Sequence, residues 1–203
     1  MIMKLSDIEA QNLKEDQPDE VEGAATHNIL NILEDEGITV EMLVDTAMVL
    51  YIPHPGIETQ ELAENMFKKE LKIALSDPNL CILVYSGILL EHEGKAGRLP
   101  DISVTSYEKD LTFIIADEVI GMSIAKYISG DKGMFEYVRF DKEKPGILAT
   151  MGPFMDDVIA GLIGGVSANM YTRGMVELDD DGKDEITKKR KRYNSDVGGV
   201  IAG

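Results

Sequence analysis

The chain is short of cysteine, positive charge, long hydrophobic runs and strand signals, and each shortage excludes something. With one cysteine, Cys81, it can form no internal disulfide and no cysteine-rich zinc site. The flank Asn79-Leu80-Cys81-Ile82-Leu83-Val84 marks that thiol as a core residue rather than a nucleophile. Lysine and arginine number 20 against 37 aspartates and glutamates, a net charge of −17. Nucleic acids and anionic membrane surfaces reward the opposite balance, so neither is expected as a partner. No stretch supplies the roughly 20 apolar residues of a membrane-spanning helix. The best candidate, Val158 to Met170, is too short and starts just after two aspartates. The first residues are mixed and soon acidic at Glu15, Asp16, Asp19 and Glu20, unlike a signal peptide. A cytoplasmic protein is therefore expected. Runs of alternating apolar and polar residues are few, which leaves helices to build the fold.

What remains is an ordinary core-forming composition: 203 residues, 44% hydrophobic and 28% charged. The expected fold is all-α, a single bundle of roughly six to eight helices. Residues 1–25 read as an acidic, flexible N-terminal segment, 26–174 as the helical domain, and 175–203 as a charged, flexible tail. Thr26 is placed to cap a first helix that stops at Gly37, and Thr39 restarts the helical spacing. Ile52-Pro53-His54-Pro55-Gly56 breaks it. His54 in that turn is a candidate phosphate contact, although a turn histidine is more often simply solvated. Glu58 to Leu75 is amphipathic, and Leu80 to Leu90 reads as a buried helix ending in Glu91-His92-Glu93-Gly94. Glu91 either adds a carboxylate to a metal site or belongs to a solvated helix end.

Two segments dominate the rest. Phe113 to Met122 and Phe154 to Ile163 are apolar and helix-like, and each carries adjacent acids: Asp117-Glu118 and Asp156-Asp157. Carboxylates inside apolar sequence are costly to bury unless paired, hydrogen-bonded or bound to a cation. Two matching pairs predict two facing helices with oxygen ligands turned to one site. Adjacent helical residues point about 100° apart, so one acid of each pair is expected to ligate while its neighbour serves another partner. All-oxygen ligation selects a hard cation, Mg²⁺ or Mn²⁺. The connection expected from Asp131 to Gly152 supplies Arg139, Lys142 and Lys144, which suit phosphate oxygens. A plainer reading stands beside this one. Acids in the first turns of a helix are favoured by its dipole with no active site needed, and Lys142 and Lys144 also read as loop charges. Gly161, Gly164 and Gly165 form a small-residue face that admits another helix closely, or a second copy of the chain in a homodimer. The acidic block Asp179-Asp180-Asp181 lacks the closing glutamate of an EF-hand, and the basic run Lys188 to Arg192 reads as a solvated tail.

Asp117-Glu118-Val119-Ile120-Gly121-Met122, then Phe140-Asp141-Lys142-Glu143-Lys144-Pro145-Gly146-Ile147-Leu148, then Met155-Asp156-Asp157-Val158-Ile159-Ala160-Gly161 resemble, in that order, the phosphatidylglycerophosphatase A family. The resemblance covers roughly Leu80 to Asn169 and implies an all-α, magnesium-dependent phosphatase. It carries Asp117, Glu118, Asp156 and Asp157 onto the family's acidic motif positions as metal and catalytic residues. The family's membrane-bound lipid phosphatases have spanning helices that this chain lacks. The chain is more similar to the soluble archaeal branch, whose phosphatases include those that hydrolyse α-ribazole-5′-phosphate in cobamide synthesis. A phosphorylated small molecule is therefore the expected substrate. The alternative among enzymes is phosphatidylglycerophosphate, and from another class a non-catalytic helical binding or scaffold protein.

Overall fold

A computed structural model describes residues 28–109 and 114–197, with side chains as far as residue 176. Short polar residues open most of its helices by accepting from the first free backbone N–H groups, a contribution of about 1 kcal/mol each. Asn28 caps α1 (Ile29–Asp35), accepting from Leu30 N–H at 2.9 Å. Thr39 caps α2 (Val40–Val49) and Thr59 caps α3 (Gln60–Ala74). Asp77 caps α4 (Pro78–Lys95), whose first residue is a proline that would have no helical N–H partner anyway. Ser103 caps the short α5 (Val104–Glu108). Then follow α6 (Ala116–Ser129), α7 (Asp131–Glu143), a 3-10 turn (Gly146–Thr150) and α8 (Pro153–Val197). Eight α-helices and no strand among the described residues make the fold an all-α bundle, as the pattern predicts.

Several boundaries differ from the sequence reading, each for a physical reason. Asn28, not Thr26, caps α1; Thr26 and the N-terminal segment 1–25 lie outside the described residues. The first acid-bearing segment is helical from Ala116, as α6, and Tyr107 belongs to the separate short α5. The connection expected between 131 and 152 is mostly helix α7. Only a narrow stripe of it is buried, Gly133, Tyr137 and Phe140, and the many charges around that stripe disguise the period. Where composition changes after Gly174, α8 continues to Val197. No single helix among the described residues is long and apolar enough to cross a membrane.

The first half of α8 is the axis of the bundle. Every residue from Phe154 to Ala168 is buried, so this helix has no solvent face there. It packs against α3, α4, α6 and α7, with the 3-10 turn at its start. Glycines set the spacing. A Cβ on Gly161 would lie 2.2 Å from the Gly121 carbonyl oxygen of α6, and one on Gly164 would lie 2.6 Å from the Tyr137 nitrogen of α7. The small-residue face is therefore consumed inside the molecule, against α6 and α7, and is not a surface for a second copy.

Candidate metal centre

Both acid pairs sit at helix beginnings, Asp117 and Glu118 in the first turn of α6 and Asp156 in the first turn of α8. The close α6–α8 crossing brings these two beginnings together. One carboxylate oxygen from each of Asp117, Glu118 and Asp157 lies within 4.8 Å of the others. Asp117 and Asp157 are only 1% and 4% exposed. Asp117 Oδ1 accepts from the Glu118 N–H at 3.0 Å. The expectation that Asp117 and Glu118 diverge is corrected here. At the start of a helix the longer glutamate reaches back to its neighbour, and the two side chains meet. The second pair does diverge. Asp157 joins the cluster, while Asp156, also buried, forms an ion pair with Lys144.

α7 supplies two residues that sequence reasoning missed. The Tyr137 hydroxyl, buried, donates to Asp157 Oδ1 at 2.7 Å. Asp141, one turn further along α7, sets its carboxyl beside the same side chain. Tyr137 and Asp141 are spaced i, i+4, a helical signal that the reading of 131–152 as a connection concealed. Lys144 closes α7 in the left-handed conformation, φ 40°, which turns its side chain back toward Asp156.

Burial decides the protonation of Asp117 and Asp157. It pushes Asp117 up to about 7, helped by the hydrogen bond and charge of Glu118 and opposed by the Glu118 N–H. It pushes Asp157 up to about 8; the Tyr137 hydroxyl pulls the other way, and the negative Asp156 and Asp141 push further up. Tyr137 is itself held far above its usual range, by burial and then by Asp157. For Lys144 burial acts downward, but the bond to Asp156 and the charges of Asp156, Asp157 and Asp141 outweigh it, and the ammonium is favoured. One buried atom of the cluster, Glu118 Oε2, accepts no hydrogen bond. Acids from two helices, Asp117 and Asp157 buried and Glu118 half-buried with one unsatisfied oxygen, fit a hard divalent cation, which takes oxygen ligands of this kind.

The remaining candidates lie elsewhere. Glu91 is buried on α4 and its Oε2 faces the Phe154 N–H at 3.1 Å, at the start of α8; it is neither a solvated helix end nor a member of the three-acid cluster. Arg139 pairs with Glu136 at 2.6 Å and donates to the Leu50 carbonyl at 2.9 Å. With His54 it lines a separate cavity of about 390 Å³ between α7 and α8. His54 stands edge-on to Tyr171, with ring centroids 5.8 Å apart. Lys142 is exposed on α7. Of the four predicted phosphate contacts, only Lys144 stands next to the acids.

No family model matches the chain. Three solved structures share its fold: a protein of unknown function from Bacillus stearothermophilus, the low temperature requirement C protein from Listeria monocytogenes, and ypjQ, a DUF64 protein, from Bacillus subtilis. Their TM-scores are 0.61, 0.63 and 0.61 at 24%, 21% and 20% identity, over 72%, 74% and 75% of this chain and 97%, 96% and 93% of theirs. At that identity the likeness concerns the fold alone. The uncharacterized protein MJ1330 of Methanocaldococcus jannaschii is 36% identical over 132 residues, 63% of this chain and 99% of that protein. At that identity over nearly its whole length, the chain belongs to the family of this uncharacterized archaeal protein.

Proposed function

We propose that this protein is a cytoplasmic, divalent-cation-dependent phosphomonoesterase. The observation that carries the reading is the convergence of Asp117, Glu118 and Asp157, from two helices, on one buried point beside a lysine. A helix dipole accounts for an acid near a helix start; it does not account for three carboxylates gathered at one point, two of them buried and the third half-buried, where they repel each other and lose solvation. Structural acids are expected to point apart or to pair with bases, as Glu70 does with Arg173 at 2.9 Å.

In this reading Asp117, Glu118 and Asp157 hold Mg²⁺ or Mn²⁺. A cation held there would supply charge neutralisation at a phosphoryl group and activation of water. The chain's own residues do the rest. Tyr137 fixes the rotamer of Asp157 through its 2.7 Å hydrogen bond. Asp156 holds Lys144, whose side chain is 38% exposed, so that the ammonium can exchange that partner for a phosphate oxygen. Asp141 stands beside Asp157 as a carboxylate able to take a proton from water. Arg139 and His54, in their separate cavity, have no part in the chemistry.

The resemblance to the soluble branch of the phosphatidylglycerophosphatase A family supports α-ribazole-5′-phosphate as the substrate. The test is phosphate release from that compound with Mg²⁺ and with EDTA, in the wild type and in Asp157→Asn. Release that needs Mg²⁺ and is lost in the variant supports the reading. Release from micellar phosphatidylglycerophosphate that the nucleotide cannot compete away moves the substrate to the lipid. No release from a panel of phosphomonoesters overturns the assignment as an enzyme and leaves a binding protein.

A further inference from the structure

The start of α8 has an unusual cap. Gly152, which precedes the helix, has no side chain to offer, and Pro153 has no N–H to satisfy. The first free donors are the N–H groups of Phe154 and Met155. They meet Glu91 Oε2, carried by α4, at 3.1 Å and 3.4 Å; the Met155 N–H is shared with the Gly152 carbonyl at 3.0 Å. Glu91 lies 63 residues before Phe154, is 2% exposed and is steadied by Lys95 at 3.0 Å. A Cβ on Gly152 would fall 1.8 Å from Glu91 Oε1, so glycine at 152 is what leaves room for the carboxylate. The turn held in this way carries Asp156 and Asp157 directly after Met155.

We propose that Glu91 is the positioning residue of the acid cluster: from α4 it pins the first turn of α8 and thereby sets Asp157 against Asp117 and Glu118. The assignment rests on the cluster being a divalent-cation site. A carboxylate is suited to the task because it accepts from two N–H groups at once and its charge complements the positive end of the helix. Asp157 lies two residues beyond the last pinned N–H, so release of that turn loosens the one α8 ligand of the cluster while the α6 ligands stay in place.

The test is calorimetric titration of the full chain with Mn²⁺ alone, together with amide hydrogen exchange of the segment 152–160 in EDTA. Glu91→Ala removes the acceptor. Gly152→Ala displaces it from the other side, and the flexible carboxylate rather than the backbone gives way. Glu91→Gln keeps one acceptor oxygen. Glu70→Ala is the control, because it removes another buried carboxylate bound to α8, far from the first turn. Glu91→Ala and Gly152→Ala are expected to bind Mn²⁺ about ten- to a hundredfold more weakly, the usual cost of losing a residue that orients a ligand. Glu91→Gln should recover most of the affinity, and Glu70→Ala should bind as the wild type does. Exchange should quicken in 152–160 for the first two variants and stay unchanged in α3. Wild-type Mn²⁺ affinity in Glu91→Ala, or an equal loss in Glu70→Ala, overturns the proposal. If the wild type takes up no Mn²⁺, the cation reading itself falls. Hydrogen exchange then decides the role of Glu91: faster exchange in 152–160 sustains its hold on the acid-bearing turn, and unchanged exchange removes it.

Discussion

Asp157 has packed apolar residues around it and Asp117, Glu118, Asp141 and Asp156 nearby, so its ionisation is opposed from several sides and favoured only by the Tyr137 hydroxyl on one oxygen. The consequence for stability has a definite sign. Asp117 and Asp157 keep their protons up to about 7 and about 8, whereas in the unfolded chain they release them near 4. Between those limits the native state binds more protons than the unfolded one, so stability without a divalent cation falls as pH rises from about 4 to about 8. Asp157→Asn is therefore expected to stabilise the protein in EDTA by about 1–3 kcal/mol near pH 8, with the gain shrinking toward pH 4. Urea melts at the two ends of the range check this, and a gain that is equal at both would refute it. The same substitution should abolish stabilisation by Mg²⁺. Tyr137→Phe acts in the other direction. It removes the one hydrogen bond that pulls the Asp157 carboxyl down, so cation binding should begin at higher pH, with a stability loss of about 1 kcal/mol.

At the scale of the element, the site depends on how closely α6 and α8 approach. The atom that a Cβ on Gly161 would strike is a backbone oxygen of Gly121, which no rotamer change can move aside. Gly161→Ala should therefore cost about 3 kcal/mol through forced separation of the helices, and cation binding should go with it. Gly37→Ala makes the contrast. It has φ +78° but open space around it, so only backbone strain of about 1 kcal/mol is expected, with cation binding intact. Urea denaturation and Mn²⁺ titration of the two variants separate spacing from strain. The elements that make this crossing were legible in the sequence: acids inside apolar runs marked α6 and α8, and the glycine cluster marked the close face. The third element was not. α7 buries a stripe too narrow to stand out among its charges, and with it went Tyr137 and Asp141. Glu91 was legible as a candidate but not in its role, because a hydrogen bond spanning 63 residues leaves no local pattern. Arg139 and His54 had the right chemistry for phosphate, but nothing in their spacing revealed that they face a different cavity.

For the molecule as a whole, a net charge of −17 means that any added cation reduces self-repulsion, and a general salt effect has to be separated from binding at the cluster. The distinction lies in reach. At about 0.15 M salt the surface field is screened within about 8 Å, while carboxylates buried at 1% and 4% exposure are screened far less. In that background Mg²⁺ should still raise the melting temperature, by an amount that follows its concentration; a hundredfold excess over the dissociation constant is worth about 2.7 kcal/mol. Protons supply the more specific signature. A cation can enter only when Asp117 and Asp157 give theirs up, so binding near pH 6 should release a number approaching two, falling toward none near pH 9. Calorimetric titrations in buffers of different ionisation enthalpy count those protons directly. Condensation of cations on the acidic surface displaces sodium rather than protons, and its heat would be the same in every buffer. A buffer-independent heat at pH 6 would therefore place Mg²⁺ on the surface, and a heat that scales with the buffer would place it at the buried acids.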